Sequence, residues 1–380
     1  MITIPGGELL CSLGTGAERI NALRTGIPQI SSMMVQVGPD LVTYPYYFID
    51  NTARTGDPAV IDDYLNRVVS ALLKKLNLEA SGLTNAGIFL GSSSIDHSLG
   101  RPLEQDSMTP LNRNSKRERV GGGNYIKRLM KRFGFNGPSL TFNTACTSSA
   151  NALMDAAAML ETGIIDHALV LGVEISSAMT REGFAIMQLL STEAVRPFAR
   201  NRNGMVLGEA VSVVLLSRDD IMPSTWHYLG GKSCCETYSV TGSDPSGKGI
   251  SLVISGALAD AGISPEKITA IKAHGTGGEL MDQAEMHGME QVFGDLPPYF
   301  SLKPYIGHTL GGCGIAELLL VMACIDSGFI PATINCQIPD NSFLKTPLRE
   351  IMPVTSGCFM LNYFGFGGNN TSFIIGRTVS

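Results

Sequence analysis

Apolar residues recur at helical spacing through Ile61, Leu65, Val68, Leu72 and Leu76, and the unbroken apolar run Gly87-Ile88-Phe89-Leu90-Gly91 that follows predicts a buried strand. Further along, Tyr125 to Phe133 predicts a helix, Ser139 to Asn143 an extended segment, Ser148 to Glu161 an Ala-rich helix and His167 to Gly172 a strand. The second half repeats the order. Val211 to Ser217 predicts a strand, Ile250 to Ala261 a helix, Ile268 to Ala273 a strand and Gln283 to Phe293 a helix, with an apolar segment from Ile315 to Asp326 after them. Two short strands, Cys358 to Phe364 and Ser372 to Gly376, then flank the turn Gly365-Phe366-Gly367-Gly368-Asn369-Asn370. Alternating helices and strands predict an α/β fold, and no Ser/Gly-rich linker or short-period repeat divides it.

Composition agrees with buried parallel strands: of 380 residues 44% are hydrophobic and only 16% charged, with 43 glycines for tight turns. A formal net charge of −6 supplies no global field for phosphate backbones, so nucleic acid is not an expected partner. No apolar run approaches the roughly 20 residues that a membrane span needs. The N-terminus MITIPGGELL lacks the charged head and apolar core of a signal peptide, so a cytoplasmic location is expected. The eight cysteines are scattered, without a Cys-x-x-Cys pair or a zinc-finger histidine, which disfavours disulfides and structural zinc. Cys234 and Cys235 read as small hydrophobes.

Only Cys146 has a context that suggests chemistry. In Thr144-Ala145-Cys146-Thr147-Ser148-Ser149 small residues leave a thiol uncrowded where a helix begins, and unpaired N–H groups there are expected to lower its pKa and to hold an oxyanion. His274-Gly275-Thr276-Gly277 follows one predicted strand, and Lys303-Pro304-Tyr305-Ile306-Gly307-His308-Thr309 precedes a Gly-rich turn into a helix. Two histidines at strand ends can converge on one thiol.

These motifs, T-A-C-T-S-S, H-G-T-G, K-P-Y-I-G-H-T and G-F-G-G-N-N in that order, resemble the β-ketoacyl synthase family over roughly Asn136 to Gly376. The resemblance implies a thiolase-like αβαβα layered fold of two similar halves, residues 1–217 with the nucleophilic cysteine and 218–380 with both histidines, together one catalytic unit. Cys146 would take an acyl chain from a donor thioester. His274 and His308 would stabilise the enolate left when a malonyl-type extender loses carbon dioxide. The backbone N–H groups of Cys146 and Phe366 would form the oxyanion hole, and Phe366, between Gly365 and Gly367, would gate the acylated cysteine. Lys303 would sit below the site with Glu285, with Asp282 at the family spacing beside it. Thr276 would contact pantetheine. No bound metal or redox cofactor is implied; the substrates ride on the phosphopantetheine of an acyl carrier protein.

Three departures qualify the resemblance. Gly278 replaces a second threonine of the H-G-T motif; Ala199 and Asn203 replace acids around Arg202, which is expected to lose a carboxylate partner; and the N-terminal region is short, so that the family's opening strand is expected to be trimmed or divergent, with only Cys11-Ser12-Leu13-Gly14 and the helix after it suggestive. Compact chains of this kind resemble synthases of aryl polyene and other polyketide-like systems, in which the active subunit pairs with a chain-length-factor-like partner; a homodimer is the other arrangement. Primary fatty acid elongation and a non-catalytic chain-length-factor role are the alternatives, the latter normally marked by loss of the cysteine. Eight basic residues, Arg113, Lys116, Arg117, Arg119, Lys127, Arg128, Lys131 and Arg132, stand out in an acidic chain as a docking surface for an acidic carrier protein.

Overall fold

The structure, a computed structural model, describes residues 1–50, 58–95 and 121–378. In chain order the first elements are β1 (Ile2–Cys11), α1 (Gly16–Thr25), β2 (Ser31–Val37), β3 (Asp40–Tyr46), α2 (Pro58–Lys75), β4 (Gly87–Gly91), α3 (Gly122–Phe133), β5 (Ser139–Phe142), α4 (Ser148–Glu161), β6 (His167–Glu174), α5 (Ala178–Ile186) and β7 (Ala210–Arg218). There follow β8 (Trp226–Cys235), α6 (Lys248–Ala261), β9 (Ile268–Lys272), α7 (Glu279–Val292), β10 (Tyr299–Phe300), α8 (Lys303–Ile306), α9 (Cys313–Asp326), β11 (Phe329–Ile330), β12 (Met352–Pro353), β13 (Gly357–Phe364) and β14 (Asn369–Arg377).

Ten strands lie in the order β10-β9-β13-β14-β8-β1-β7-β6-β4-β5. The order is a sequence read twice. On one side β5, β4 and β6 run parallel and β7 and β1 continue antiparallel; on the other β10, β9 and β13 run parallel and β14 and β8 continue antiparallel. Among the described residues the two five-stranded halves are hydrogen-bonded to each other through β1 and β8, at Ile2 with Tyr228 and Thr3 with His227.

Side-chain alternation sorts these strands into layers. Along β6, Ala168 and Val170 pack into a central core while Leu169, Leu171 and Val173 pack into an outer one against α2 and α3. Along β13, Phe359, Leu361 and Tyr363 enter the same central core, and Met360 and Phe364 face outward to α6 and α7. The central core is filled by α4 and α9. Every residue of α9 except Ala323 and Asp326 is buried, as a helix that is apolar all round must be. The resulting order is α, β, α, β, α.

Most sequence-predicted elements are found within a few residues of their expected bounds, α7 beginning a turn earlier than Gln283. The opening strand is a correction: β1 is present and central, paired with β7 along its length. Pro5-Gly6-Gly7 hides it, because the register shifts between Thr3 and Gly6 and the glycines interrupt the apolar pattern. Gly7 is needed there, since a Cβ would lie 2.7 Å from the carbonyl oxygen of Val213 and 2.3 Å from Leu319. The hairpin of β2 and β3, α5 and β8 also lack a clear signal in the sequence. All eight cysteines are free.

Candidate active site

Cys146 lies in a 3-10 turn, Ala145–Thr147, that joins β5 to α4. The turn is sharp: Ala145 holds φ 55°, a left-handed conformation that a non-glycine residue adopts only where its surroundings enforce it. Ser148 Oγ donates to Ala145 O (2.6 Å) and accepts from Thr144 N (3.0 Å), while Thr147 Oγ1 donates to Thr144 O (2.7 Å). Asn369 Oδ1 accepts from Asn151 Nδ2 (2.8 Å) and is the alternative acceptor for the Thr147 hydroxyl, which ties the Gly-rich turn after β13 to the cysteine turn.

The thiol differs from its expectation. Cys146 is only 5% exposed, and burial pushes its pKa up to about 12, against the lowering effects of Lys303 and of the N–H groups of Phe366 and of Cys146 itself, with Glu174 raising it further. The helix proper begins at Ser148, and its dipole does not outweigh desolvation. The resting group is a thiol whose Sγ lies 3.1 Å from His308 Nε2, placed to donate its proton there. The two backbone N–H groups directed at sulfur, those of Phe366 and Cys146, are the pair that the resemblance implies for an oxyanion hole.

His274 follows β9 in a turn held from α7. Glu285 accepts from His274 N (2.7 Å) and Gly275 N (2.8 Å), and Asp282 accepts from Gly277 N (3.1 Å) and Phe198 N (2.8 Å). Desolvation raises these carboxyls, Asp282 to about 6 and Glu285 to about 7, while the N–H bonds pull the other way. The rings of His274 and His308 meet edge to face with centroids 5.1 Å apart. Burial first, then the charge of Lys303, holds both imidazoles well below the usual histidine range, so both are neutral. Their Nδ1 atoms are buried and lack a hydrogen-bond partner among the described residues. Neutral imidazoles can donate to developing negative charge without adding a proton of their own.

Lys303 does not pair with Glu285 as expected. Its Nζ bonds Glu317 Oε1, and Glu317 Oε2 lies 2.5 Å from Lys272 Nζ; all three side chains are at most 1% exposed. Glu285 is spent on backbone N–H groups instead. Lys272 and Glu317 escaped the sequence reading, although a lone acid in the apolar run Cys313 to Val321 and a lysine ending the strand Ile268 to Lys272 were available signals. Arg202 keeps a carboxylate after all: Asp340 Oδ2 is 2.7 Å from its Nη1.

Phe366 lies between Gly365 and Gly367, the latter at φ 80°, and its ring stacks on Phe184 at 5.5 Å. Gly367 N donates to Val240 O (2.7 Å). A cavity of about 480 Å³ opens here, lined by Cys146, His274, His308, Phe366 and Thr276. Gly278 is half-buried at its edge with φ −78°, a conformation open to any residue. On α3, Lys127, Lys131 and Arg132 are exposed, whereas Arg128 bonds both oxygens of Asp62 (3.0 and 2.9 Å) and lies over Tyr125. Arg113, Lys116, Arg117 and Arg119 lie outside the described residues. A larger cleft, about 730 Å³, runs between α1 and α2 past Arg19, Arg67 and Arg132; it contains neither the thiol nor a histidine. Among the described residues no cluster of His, Cys, Asp and Glu is placed to hold a metal ion, and no helix is long and apolar enough to cross a membrane.

Comparison with known proteins agrees with this geometry. The family models for the β-ketoacyl synthase N-terminal and C-terminal domains match residues 63–220 and 229–337. The chain is 33% identical over 259 residues to 3-oxoacyl-[acyl-carrier-protein] synthase II, chloroplastic, of Arabidopsis thaliana, covering 63% of this chain and 48% of that protein. It is 30% identical over 265 residues to 3-oxoacyl-[acyl-carrier-protein] synthase 2 of Coxiella burnetii, covering 65% and 63%. The matches thus span about half to under two thirds of these relatives' length. A solved ketosynthase in complex with its chain length factor from Xenorhabdus doucetiae matches with TM-score 0.85 and 28% identity over 99% of this chain and 98% of that chain. A β-ketoacyl synthase from Burkholderia phymatum shares the fold at TM-score 0.87, 24% identity, and 100% and 99% coverage. With a buried cysteine 3.1 Å from one histidine, a second histidine against the first, and both domain models matched in order, the chain belongs to the β-ketoacyl synthase family.

Proposed function

We propose that the protein is a β-ketoacyl-[acyl carrier protein] synthase. It takes an acyl chain onto Cys146 and joins it, by decarboxylative Claisen condensation, to a malonyl unit delivered by an acyl carrier protein. The observation that carries this reading is the contact of Cys146 Sγ with His308 Nε2 at 3.1 Å, inside a cavity shared with His274. His308 accepts the thiol proton as sulfur attacks the donor thioester, and the carrier leaves as a free thiol. Before it leaves, the N–H groups of Cys146 and Phe366 hold the oxyanion of the tetrahedral intermediate, whose collapse expels the carrier thiolate to take the proton back from His308. Residues 1–217 supply the nucleophile and 218–380 both histidines, so neither half suffices. The reaction needs no bound metal or redox cofactor; phosphopantetheine belongs to the carrier, and Thr276 lines its path. Phe366 gates that path from its place on Phe184.

Polyene or polyketide-type biosynthesis is the setting we favour, with fatty acid elongation as the second reading; the ketosynthase with its chain length factor, matched along nearly its whole length, supports the first. A cytoplasmic location goes with carrier-borne substrates. The partner is a chain-length-factor-like subunit or a second copy, seated on the edge of β5. That strand pairs only with β4 among the described residues and leaves Leu140 44% exposed. A purely chain-length-setting role is disfavoured by the intact cysteine and two histidines. Intact mass after incubation with acyl-loaded carriers tests the proposal. Wild type should gain the acyl mass and Cys146→Ala should not; absence of any adduct on wild type, with or without candidate partners, sinks it.

A further inference from the structure

Lys272 is buried with an arrangement of acceptors that defines its charge. Its Nζ lies 2.5 Å from Glu317 Oε2, 2.8 Å from Asn362 O and 3.6 Å above the ring of Tyr363. Three acceptors meet the three hydrogens of an ammonium group, and an aromatic face attracts a cation but not an amine lone pair. Lys303 occupies the other oxygen of the same carboxylate. One carboxylate between two ammonium groups leaves one uncompensated positive charge, in an interior where it is poorly screened. A pair of Lys303 and Glu317 alone would cancel. Lys272 and Lys303 together make this cluster cationic, burial lowering Lys272 from the ordinary lysine value and the Glu317 carboxylate opposing that.

The cluster is tied to both histidines through the chain, Lys272 two residues before His274 on the end of β9 and Lys303 five residues before His308. Other charged and titratable groups face them. From α7, Glu285 is held by two backbone N–H groups; from β6, Glu174 is held by Ser93, Ser94 and the N–H of Gly311. From α9, Cys313 donates to Cys146 O, and from β13 the Tyr363 hydroxyl donates to Gly314 O. Burial raises Cys313, Tyr363, Glu174 and Glu285, which reduces their negative charge, so the buried lysines weigh the more.

We propose that Lys272 is a positioning residue for the condensation: sharing Glu317 with Lys303, it adds a second positive charge that, with burial and Lys303, keeps His274 and His308 neutral and ready to donate to an enolate. This rests on the synthase reading for its purpose but not for its measurement. The charge of Lys272 acts on both imidazoles in the same direction as that of Lys303.

The test is an NMR titration of ¹³C-labelled histidines in the full chain, its six histidines assigned by single His→Gln variants, for wild type, Lys272→Gln and Lys272→Arg. Lys272→Gln keeps an N–H for Asn362 O and leaves Glu317 its partner Lys303. The midpoints of His274 and His308 should rise by on the order of half a pH unit or more in Lys272→Gln and stay near wild type in Lys272→Arg. The acid limb of malonyl-carrier decarboxylation should move with them. Unchanged midpoints in a Lys272→Gln variant that still melts cooperatively overturn the proposal and make the lysine a packing residue. Should that variant not fold, Lys272→Met, which keeps the length of the side chain without its charge, takes its place with the same two outcomes, and either histidine titrating near pH 6.5 in wild type overturns the proposal. Failure of wild type to form an acyl adduct would instead sink the synthase reading and leave the titration intact.

Discussion

Glu317 is the most consequential acid at the residue scale, because two ammonium groups depend on one side chain that is fully buried. Removing one partner from a buried ionic cluster leaves uncompensated charge and costs on the order of 3–5 kcal/mol. Glu317→Gln is expected to lower the thermal midpoint steeply, read by calorimetry, or to prevent folding; a midpoint within 2 °C of wild type would show the cluster to be dispensable. The neutral histidines lead to a second expectation. Both are depressed below the ordinary value near 6.5, so protonation does not remove them as pH falls through that value. The acid limb of kcat/KM should therefore lie below pH 6.5, and a limb centred at or above it would contradict the assigned protonation states.

Among the elements, the crossing of α4 and α9 sets the distance between nucleophile and base, since Cys146 precedes one helix and His308 the other. Gly314 permits the approach: a Cβ there would lie 2.4 Å from Ala150 N, a backbone atom that cannot give way without moving the helix. Gly314→Ala should destabilise by roughly 1–3 kcal/mol through overpacking. It should also slow acylation of Cys146 in the fraction that stays folded, read by stopped-time intact mass. On α3 the exposed Lys127, Lys131 and Arg132 contrast with Arg128, which is held by Asp62. Reversing the three exposed charges to Glu should raise KM for carrier-borne substrate several-fold, more so at low salt, and leave turnover of a small soluble thioester unchanged. Equal effects on both substrates would remove α3 from docking.

At the scale of the whole molecule, burial of acids that take no part in the chemistry shapes stability against pH. Desolvation raises Glu209, beneath Ile49 and Ser176, to about 7, against an ordinary glutamate near 4.3. The folded state thus binds this proton more readily than the unfolded state, so the contribution of Glu209 to stability is greatest below about pH 4 and declines as pH rises through about 7. Glu209→Gln removes that decline. Its thermal midpoint relative to wild type should be higher at pH 8 than at pH 5, whatever constant loss the substitution brings; the opposite slope would refute the raised pKa. The same scale holds the repeat of five strands on either side of the contact between β1 and β8, which brings a cysteine from one half and two histidines from the other into one cavity.

Local pattern was enough to find most of the helices and strands, since their apolar periodicity and Gly-rich turns are written in contiguous residues, and enough to single out Cys146, His274 and His308 at the ends of expected strands, whereas Phe366 entered only through the resemblance. It did not reveal β1, where Pro5 and two glycines break the alternation and only pairing with β7 and the close approach of Leu319 give the strand its place. Nor did it reveal the state of the thiol, because the helix start that favours a thiolate is local, whereas the burial that outweighs it comes from the packing of elements distant in sequence. The partners of Lys303 were misread for the same reason. The resemblance set Glu285 beside it, but that carboxylate is consumed by the N–H groups of His274 and Gly275, and Glu317 with Lys272 is delivered from α9 and β9 by the meeting of helix and sheet. Residue types and their order determine which chemistry is available; which groups share a proton or a charge is decided by distances that exist only once the two halves have packed.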